Sequence, residues 1–331
     1  MTATRTAVSP TSAAPTTMQA EAIDRFGPPS VLTLRRPPVP KVGPSEILIA
    51  LHAAGVGIWD ARIRDGTWAT GNERFPLVLG VDGAGIVVER GARVRRFHIG
   101  DRVWAYAYGN PKGGFYAEYV AVKADHVGRV PQRLHLREAG AAPCTGLTAL
   151  QGINHLRLDE GATVLIFGGS GAVGTLAIQF ARQRQARVLA TASGQDAVDL
   201  VLELGAEAAI DARRDDAVER LRSLAPNGLD AVLALVGGDA LEPCLALVRR
   251  GGRVAYPNGV EPEPQSPRGV RVIAYDAMAD PRRVAELERA AEEAQFRVPI
   301  AGVYPLSQAA QAHARLEQGH VLGRIVLQID H

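Results

Sequence analysis

The run Gly168-Gly-Ser-Gly-Ala-Val-Gly174 carries glycines at the spacing that lets a chain turn sharply and offer bare backbone N–H groups to an anion. The chemistry this implies is the cradling of a dinucleotide pyrophosphate. Gly169 permits the tight turn, Gly171 lets N–H groups approach the pyrophosphate, and Gly174 lets a following helix lie close on the strand, with Ser170, Ala172 and Val173 completing the loop. At the end of the next strand an acid would bind the adenosine ribose and repel a 2′-phosphate, but the chain reads Thr191-Ala-Ser-Gly-Gln with no acid before Asp196. This favours NADP over NAD. Ser193 is a candidate for the phosphate; Arg213 and Arg214 are either its partners or the solvated start of a helix. Val236, Gly237, Asn258 and Gly259 fall in two glycine-containing loops that should flank the nicotinamide half. Trp59, Tyr106 and Tyr108 are aromatics that could lie over a flat ligand, or could simply fill a cleft.

Metal chemistry has no footing in the pattern. The 8 histidines are dispersed without ligand spacing, and the 2 cysteines, Cys144 and Cys244, are too few for a four-cysteine zinc site or a disulfide framework. His313 shares a helical face with Ala309, Ala312 and Leu316 and is expected to be a partly buried structural residue.

The elements that must position these residues are legible from periodicity. Ala162-Thr-Val-Leu-Ile-Phe is an apolar strand leading into the glycine loop, and Val173, Leu176, Ala177, Phe180 and Ala181 form one face of the helix after it. A second unit follows: the strand Arg187-Val-Leu-Ala-Thr, then a helix with Ala197, Leu200, Val201 and Leu204 on one face, ending at Gly205. Strands at Ala208-Ala-Ile-Asp, Leu229 onward, Gly252 onward and Val270-Arg-Val-Ile-Ala-Tyr continue the alternation, the last as a sheet edge. Before about Pro143 the text is instead short β-like runs broken by turn signals, such as Glu46-Ile-Leu-Ile-Ala-Leu and Gly85-Ile-Val-Val. The final stretch holds one helix, Ser307 to Gln318, stopped by Gly319, and one strand, Gly323 to Ile329, which return to the first part. Residues 1–17 are Thr, Ala, Ser and Pro with one Arg and read as a disordered tail; they are hydroxyl-rich like a transit peptide but lack its amphipathic stripe.

A chain of 331 residues, 47 % apolar and 22 % charged, forms about two domains and has no run long enough to span a bilayer. With a net charge of +2 and arginines scattered among acids, it offers no footprint for nucleic acid. No membrane association is expected, and a reducing cytoplasm fits the cysteine usage.

These residues, in this order, resemble the medium-chain dehydrogenase/reductase superfamily, in its zinc-free quinone oxidoreductase and enone (enoyl) reductase branch. The matching blocks are Phe26-Gly-Pro-Pro, Ala54-Gly-Val with Asp60, Pro76-Leu-Val-Leu-Gly-Val-Asp-Gly-Ala-Gly, Gly100-Asp-Arg-Val, Gly113-Gly-Phe-Tyr-Ala-Glu-Tyr, Gly146-Leu-Thr-Ala, the glycine loop and Gly251-Gly-Arg. The resemblance implies an α/β fold with a GroES-like, mostly β catalytic domain (residues 18–142 and 300–331) and an inserted Rossmann domain (residues 143–299), a doubly wound parallel sheet. It also implies a cleft between them for NADPH, with NADH possible, and a homodimer. Thr148, in the Gly146 block, and Arg324 join the expected cofactor contacts, and Asp82 is expected to pair with Arg324.

The same comparison sets the chain apart from zinc alcohol dehydrogenases, because Gly57 and Val81 stand where their ligands would be and neither can donate to a metal. The implied reaction is hydride delivery from NADPH to a quinone or an α,β-unsaturated carbonyl, in which positioning does most of the work. Quinone oxidoreductases usually carry Asn where this chain has Gly57, Asp where it has Ala234, and Lys where it has Gln195 or Ala197. The missing Asn at 57 keeps open a non-catalytic NADP(H)-binding protein; a reductase of enoyl thioesters is a further alternative, one that would need a wide, basic-rimmed cleft.

Overall fold

The computed structural model describes residues 15–69, 71, 73–294 and 296–330. Most of the expected tail lies outside the described residues, but its end is already paired: Val39 N–H donates to Thr16 O at 3.1 Å and Thr17 bridges Pro38. The chain is therefore tied to its neighbour strand a little before Met18, where the tail was expected to end.

The first part is built from Ala20–Ile23 (β1), Thr33–Arg35 (β2), Glu46–Val56 (β3), Leu77–Val78 (β4), Asp82–Arg90 (β5), Arg102–Tyr106 (β6), Tyr119–Lys123 (β7) and Val127–Arg129 (β8). Along β3, Ile47, Leu48, Ile49 and Leu51 are fully buried, each contributing roughly 1.5–3 kcal/mol by leaving water. Two helices interrupt this mostly β region, Ile58–Asp65 (α1) and Leu136–Gly140 (α2). Helix α1 is short and mixed in polarity, so periodicity gives it no signal. Its ends explain it: the Asp60 carboxylate accepts the Gly57 N–H at 2.8 Å, and Gly66, with φ +89°, closes it in the left-handed region.

Helix α3 (Pro143–Leu156) opens with proline, whose missing N–H costs nothing at a first turn. Then come Thr163–Phe167 (β9), Ala172–Gln183 (α4), Arg187–Thr191 (β10), Gln195–Glu203 (α5), Ala208–Ile210 (β11), Ala217–Leu224 (α6), Leu229–Ala234 (β12), Glu242–Leu245 (α7), Val248–Pro257 (β13), Arg271–Tyr275 (β14) and Pro281–Glu293 (α8). All pairings among these six strands are parallel, in the order β11-β10-β9-β12-β13-β14. This is the doubly wound order, with its reversal point between β9 and β12, where open α/β sheets bind ligands.

Ile300–Pro305 (β15), Ala309–Glu317 (α9) and Arg324–Gln328 (β16) follow. The expected helix from Ser307 starts as a 3-10 turn over Leu306–Gln308 before α9, and Gly319 ends it at φ +72°. Strand β16 lies antiparallel to β3 inside a seven-stranded sheet, β15-β16-β3-β5-β6-β8, with β7 also on β3. One apolar cluster joins Ala53, Ala84 and Trp104 of that sheet to Leu147, Leu150 and Ile153 of α3, so α3 glues the two sheets along one side.

Candidate functional site

On the open side a cavity of about 1020 Å³ lies between the C-terminal edge of the parallel sheet and the face of α1, β6 and β16. The glycine loop forms its floor. The left-handed residue of the turn is Gly168 (φ +92°) and not Gly169, because the strand must reverse one residue earlier to reach α4. Gly169 is needed for room instead: a Cβ there would come within 2.8 Å of the Ala190 Cβ. Thr191 pins the turn, accepting Gly168 N–H on its hydroxyl at 2.8 Å and Gly169 N–H on its carbonyl at 3.0 Å. At Gly174 a Cβ would collide with Gly168 O, so the helix does lie against the loop as its glycine implies. At Gly171 a Cβ would meet only Gly168 O, at 3.6 Å; this is open space in front of the first turn of α4, which has no side-chain cap. A cradle that a single methyl would fill, under uncapped N–H groups, fits a pyrophosphate.

The C-terminal strand reaches over this loop. Gly323 N–H donates to Ser170 O at 3.0 Å, and Gly323 bridges Gly171, which places Arg324 on the cavity wall. Arg324 is 2 % exposed and Asp82 is fully buried; Arg324 Nη2 donates to Asp82 Oδ1 at 2.7 Å, and Asp82 Oδ2 accepts Cys144 N–H at 2.9 Å. The expected pair is formed. Burial raises the Asp82 carboxyl although the Arg324 guanidinium opposes it, and burial also pushes the Cys144 thiol well up, so Cys144 stays protonated.

Gly57 acquires a physical explanation here. The guanidinium of Arg324 sits over the Trp59 ring at 4.9 Å, and a Cβ on Gly57 would lie 2.6 Å from that ring and 3.0 Å from Arg324 Nη1. The stacked pair occupies the space of the missing side chain. Trp59 lines the cavity but has one ring face committed to Arg324, so only the other is available to an acceptor.

Behind this wall runs a buried polar chain that the sequence did not announce. Arg64 Nη1, which can only donate, reaches His313 Nδ1 at 3.1 Å, so the imidazole proton is on Nε2 and donates to the Tyr116 hydroxyl at 3.0 Å. The Tyr116 hydroxyl faces the Asp60 carboxyl, whose Oδ2 accepts the Gly57 N–H and whose Oδ1 has no hydrogen-bond partner. Burial pushes Asp60 up to about 7 and pulls His313 down to about 3, where the adjacent Arg64 charge adds to the effect. His313 is fully buried, more deeply than its helical face implied.

At the adenosine end the structure brings Ser193 and Arg213 together, Arg213 Nε donating to the Ser193 hydroxyl at 2.8 Å. It also adds an acid. Ser193 donates to Asp211 Oδ1 at 2.9 Å, and Asp211, one residue beyond β11, reaches the end of β10 because those strands are neighbours. Arg214 turns away to Asp216 at 3.0 Å and takes no part.

Tyr106, Tyr108, Thr148, Ala172, Val173, Val236, Asn258 and Gly259 all line the cavity. Burial raises the Tyr106 hydroxyl far above its usual range, holding it protonated. Gly237 does not face the cavity as expected: a Cβ there would strike the Glu261–Pro262 backbone, which packs the two loops together. The sequence reading also missed Arg62 and Trp68. Arg62 Nη1 donates to Gly259 O at 2.9 Å and lies over the Trp68 ring at 5.1 Å, joining α1 to the loop after β13. Among the described residues no three His, Cys, Asp or Glu side chains converge to hold a metal ion, and no helix is long and apolar enough to cross a membrane.

Residues 43–132 match the alcohol dehydrogenase GroES-like domain family and residues 204–327 match the family described as zinc-binding dehydrogenase. The chain is 31 % identical to a mitochondrial NAD(P)H oxidoreductase of Bos taurus, over 97 % of this chain and 92 % of that protein. The solved quinone oxidoreductase of Coxiella burnetii is similar at 32 % identity and TM-score 0.82, covering 95 % of this chain and 100 % of its own. A mycobacterial protein solved in complex with NADPH is 28 % identical with TM-score 0.82, covering 94 % and 100 %.

Proposed function

The chain belongs to the medium-chain dehydrogenase/reductase superfamily, in its quinone oxidoreductase branch, and from that premise we propose that it is a zinc-independent, NADPH-dependent reductase of quinones or α,β-unsaturated carbonyls. The observation that carries this reading is the wall at Gly57 and Asp82. Where a metal would need donors, a guanidinium stacks on an indole and takes the Asp82 carboxylate for itself. A fixed cation at that point repels a second one.

NADPH, when bound, supplies a hydride from its reduced nicotinamide ring. The uncapped first turn of α4, Ala172 to Gly174, holds the pyrophosphate through backbone N–H groups, with Arg324 on the adjoining wall; the Gly168 and Gly169 N–H groups are taken by Thr191 and shape the turn instead. Ser193 and Arg213 hold the 2′-phosphate, which supports NADPH; Asp211 beside them is the specific observation favouring NADH as a second reading, since a carboxylate can accept from a ribose hydroxyl. Thr148, Val236, Asn258 and Gly259 border the nicotinamide half. The free face of Trp59 orients a flat acceptor. Tyr106, protonated throughout the physiological range, donates a hydrogen bond to the acceptor oxygen that gains charge, and the proton that completes reduction comes from that hydroxyl or from water. The β14 edge of the parallel sheet is the surface on which a second copy would extend the sheet into a homodimer.

Titration of metal-stripped protein with NADPH and NADH, followed by loss of nicotinamide absorbance with benzoquinone or a simple enone, tests the reading. We expect turnover unaffected by chelators and a preference for NADPH of about tenfold or more that Arg213→Ala abolishes. Binding without turnover of any acceptor would make the chain a nucleotide-binding protein, and turnover restored only by added zinc would overturn the metal-free mechanism.

A further inference from the structure

The outer part of the cavity, away from the glycine loop, is rimmed by large apolar side chains standing half in water. Ile58, Tyr108 and Met278 are 49 %, 48 % and 54 % exposed, and all three line the cavity. They come from the first residue of α1, the loop after β6 and the loop after β14. Met278 is not on a free tether, because the Gln151 side-chain amide of α3 donates to Met278 O at 3.0 Å. Apolar side chains held in water around one mouth lose that surface only when something apolar lies across them.

The charges at the same mouth are unbalanced. Asp276 and Glu261 are exposed and line it, and Asp276 lies close enough to Tyr106 and Tyr108 to help raise both hydroxyls. The guanidiniums that line the cavity lie deeper: Arg62 is half-buried against Gly259 O and the Trp68 face, and Arg324 is buried on Asp82 with its Nε and Nη1 unpartnered, while burial lowers His126 and keeps it neutral. An anion entering past Asp276 and Glu261 therefore meets exposed negative charge first, before it can reach either guanidinium.

Resting on the reductase reading, we infer that the acceptor is an uncharged ring or enone carrying an apolar substituent of several carbons, laid across Ile58, Tyr108 and Met278. Anionic acceptors, including sulfonated quinones and phosphate-bearing acyl thioesters, are rejected by Asp276 and Glu261. This separates the chain from reductases of carrier-bound enoyl groups, whose phosphates need a basic rim.

The test is binding, measured on the NADP⁺-saturated protein by quenching of tryptophan emission from the cavity residues Trp59 and Trp68. The probes are a naphthoquinone against its sulfonate, and decylbenzoquinone against benzoquinone. The neutral naphthoquinone is expected to bind about tenfold or more tightly than the sulfonate, with Asp276→Asn closing at least a threefold part of that gap. Decylbenzoquinone is expected to bind about tenfold tighter than benzoquinone, an advantage that Met278→Glu removes. Sulfonate binding equal to or tighter than the neutral ring, or ratios unmoved by both substitutions, overturns the inference. Failure of the reductase reading shows separately, as binding of the quinones with no NADPH oxidation.

Discussion

Asp60 and His313 lie in one buried chain, yet their protons respond to pH in opposite senses. Burial pushes Asp60 up to about 7, so between roughly pH 4 and 7 the folded protein keeps a proton that the unfolded chain has released. The stability tied to that neutral carboxyl is complete below about pH 4 and is lost as pH rises. His313 is pulled down to about 3, so from roughly pH 3 to 6.5 the unfolded chain holds the extra proton and stability is gained as pH rises. The slopes mask each other in the wild type. Asp60→Asn removes the first alone, and the variant should gain on the wild type by on the order of 1–3 kcal/mol between about pH 4.5 and 7.5. His313→Gln should fall behind it over about pH 4 to 6.5. Urea unfolding of the three proteins across that range measures both; parallel curves would mean that Arg324 holds Asp60 ionised throughout. None of this chain was legible in the sequence. Arg64, Tyr116 and His313 are separated by up to 249 residues and carry no common spacing, so only the fold brings them together. The Asp82–Arg324 pair was readable, through the resemblance of their sequence blocks and not through any local pattern.

At the scale of the element, the turn from β9 into α4 separates two kinds of glycine that a motif treats alike. Gly174 is there because the helix touches the loop: a Cβ would collide with Gly168 O. Gly171 is there because the space before it must stay open. Gly174→Ala should therefore lower stability, by about 1–3 kcal/mol from overpacking. Gly171→Ala should leave the melting temperature unchanged and weaken NADPH binding by about tenfold or more. Thermal melts beside a fluorescence titration distinguish the two; equal loss of stability in both variants would mean that Gly171 is structural. The alternation of apolar strands and amphipathic helices made the parallel sheet legible strand by strand, because the central strands are short apolar runs buried on both faces and the helices between them bury one face. Helix α1 was not legible. It is capped by Asp60 and closed by Gly66 but has only a weak apolar stripe, so its positioning comes from tertiary contacts. The acid at Asp211 escaped for a related reason: it follows β11, and only strand order puts it beside Ser193 on β10.

Across the whole molecule the cavity is closed by unlike contacts on its two sides. On one, α3 packs Leu147, Leu150 and Ile153 into an apolar cluster with Ala53, Ala84 and Trp104, a joint too well buried to open locally. On the other, Arg62 donates to Gly259 O, and the Trp68 ring sits where a side chain at Gly259 would be. That second contact crosses between the sheets with one hydrogen bond and one aromatic face, both partly exposed, so it is the side able to yield when cofactor enters. The loop it holds carries Asn258 and Gly259, at the expected nicotinamide half. Arg62→Ala should cost the protein as a whole no more than about 1 kcal/mol, the worth of one hydrogen bond. It should nevertheless make the backbone amides of residues 258–261 exchange about tenfold faster, a local opening that global unfolding does not require. Acceptor KM should rise in the same variant, because the loop that completes the pocket is no longer held against α1. Hydrogen exchange on the cofactor-free protein measures the opening directly. Unchanged protection at 258–261 would show that the Glu261–Pro262 contact with Gly237, and not Arg62, fixes that loop.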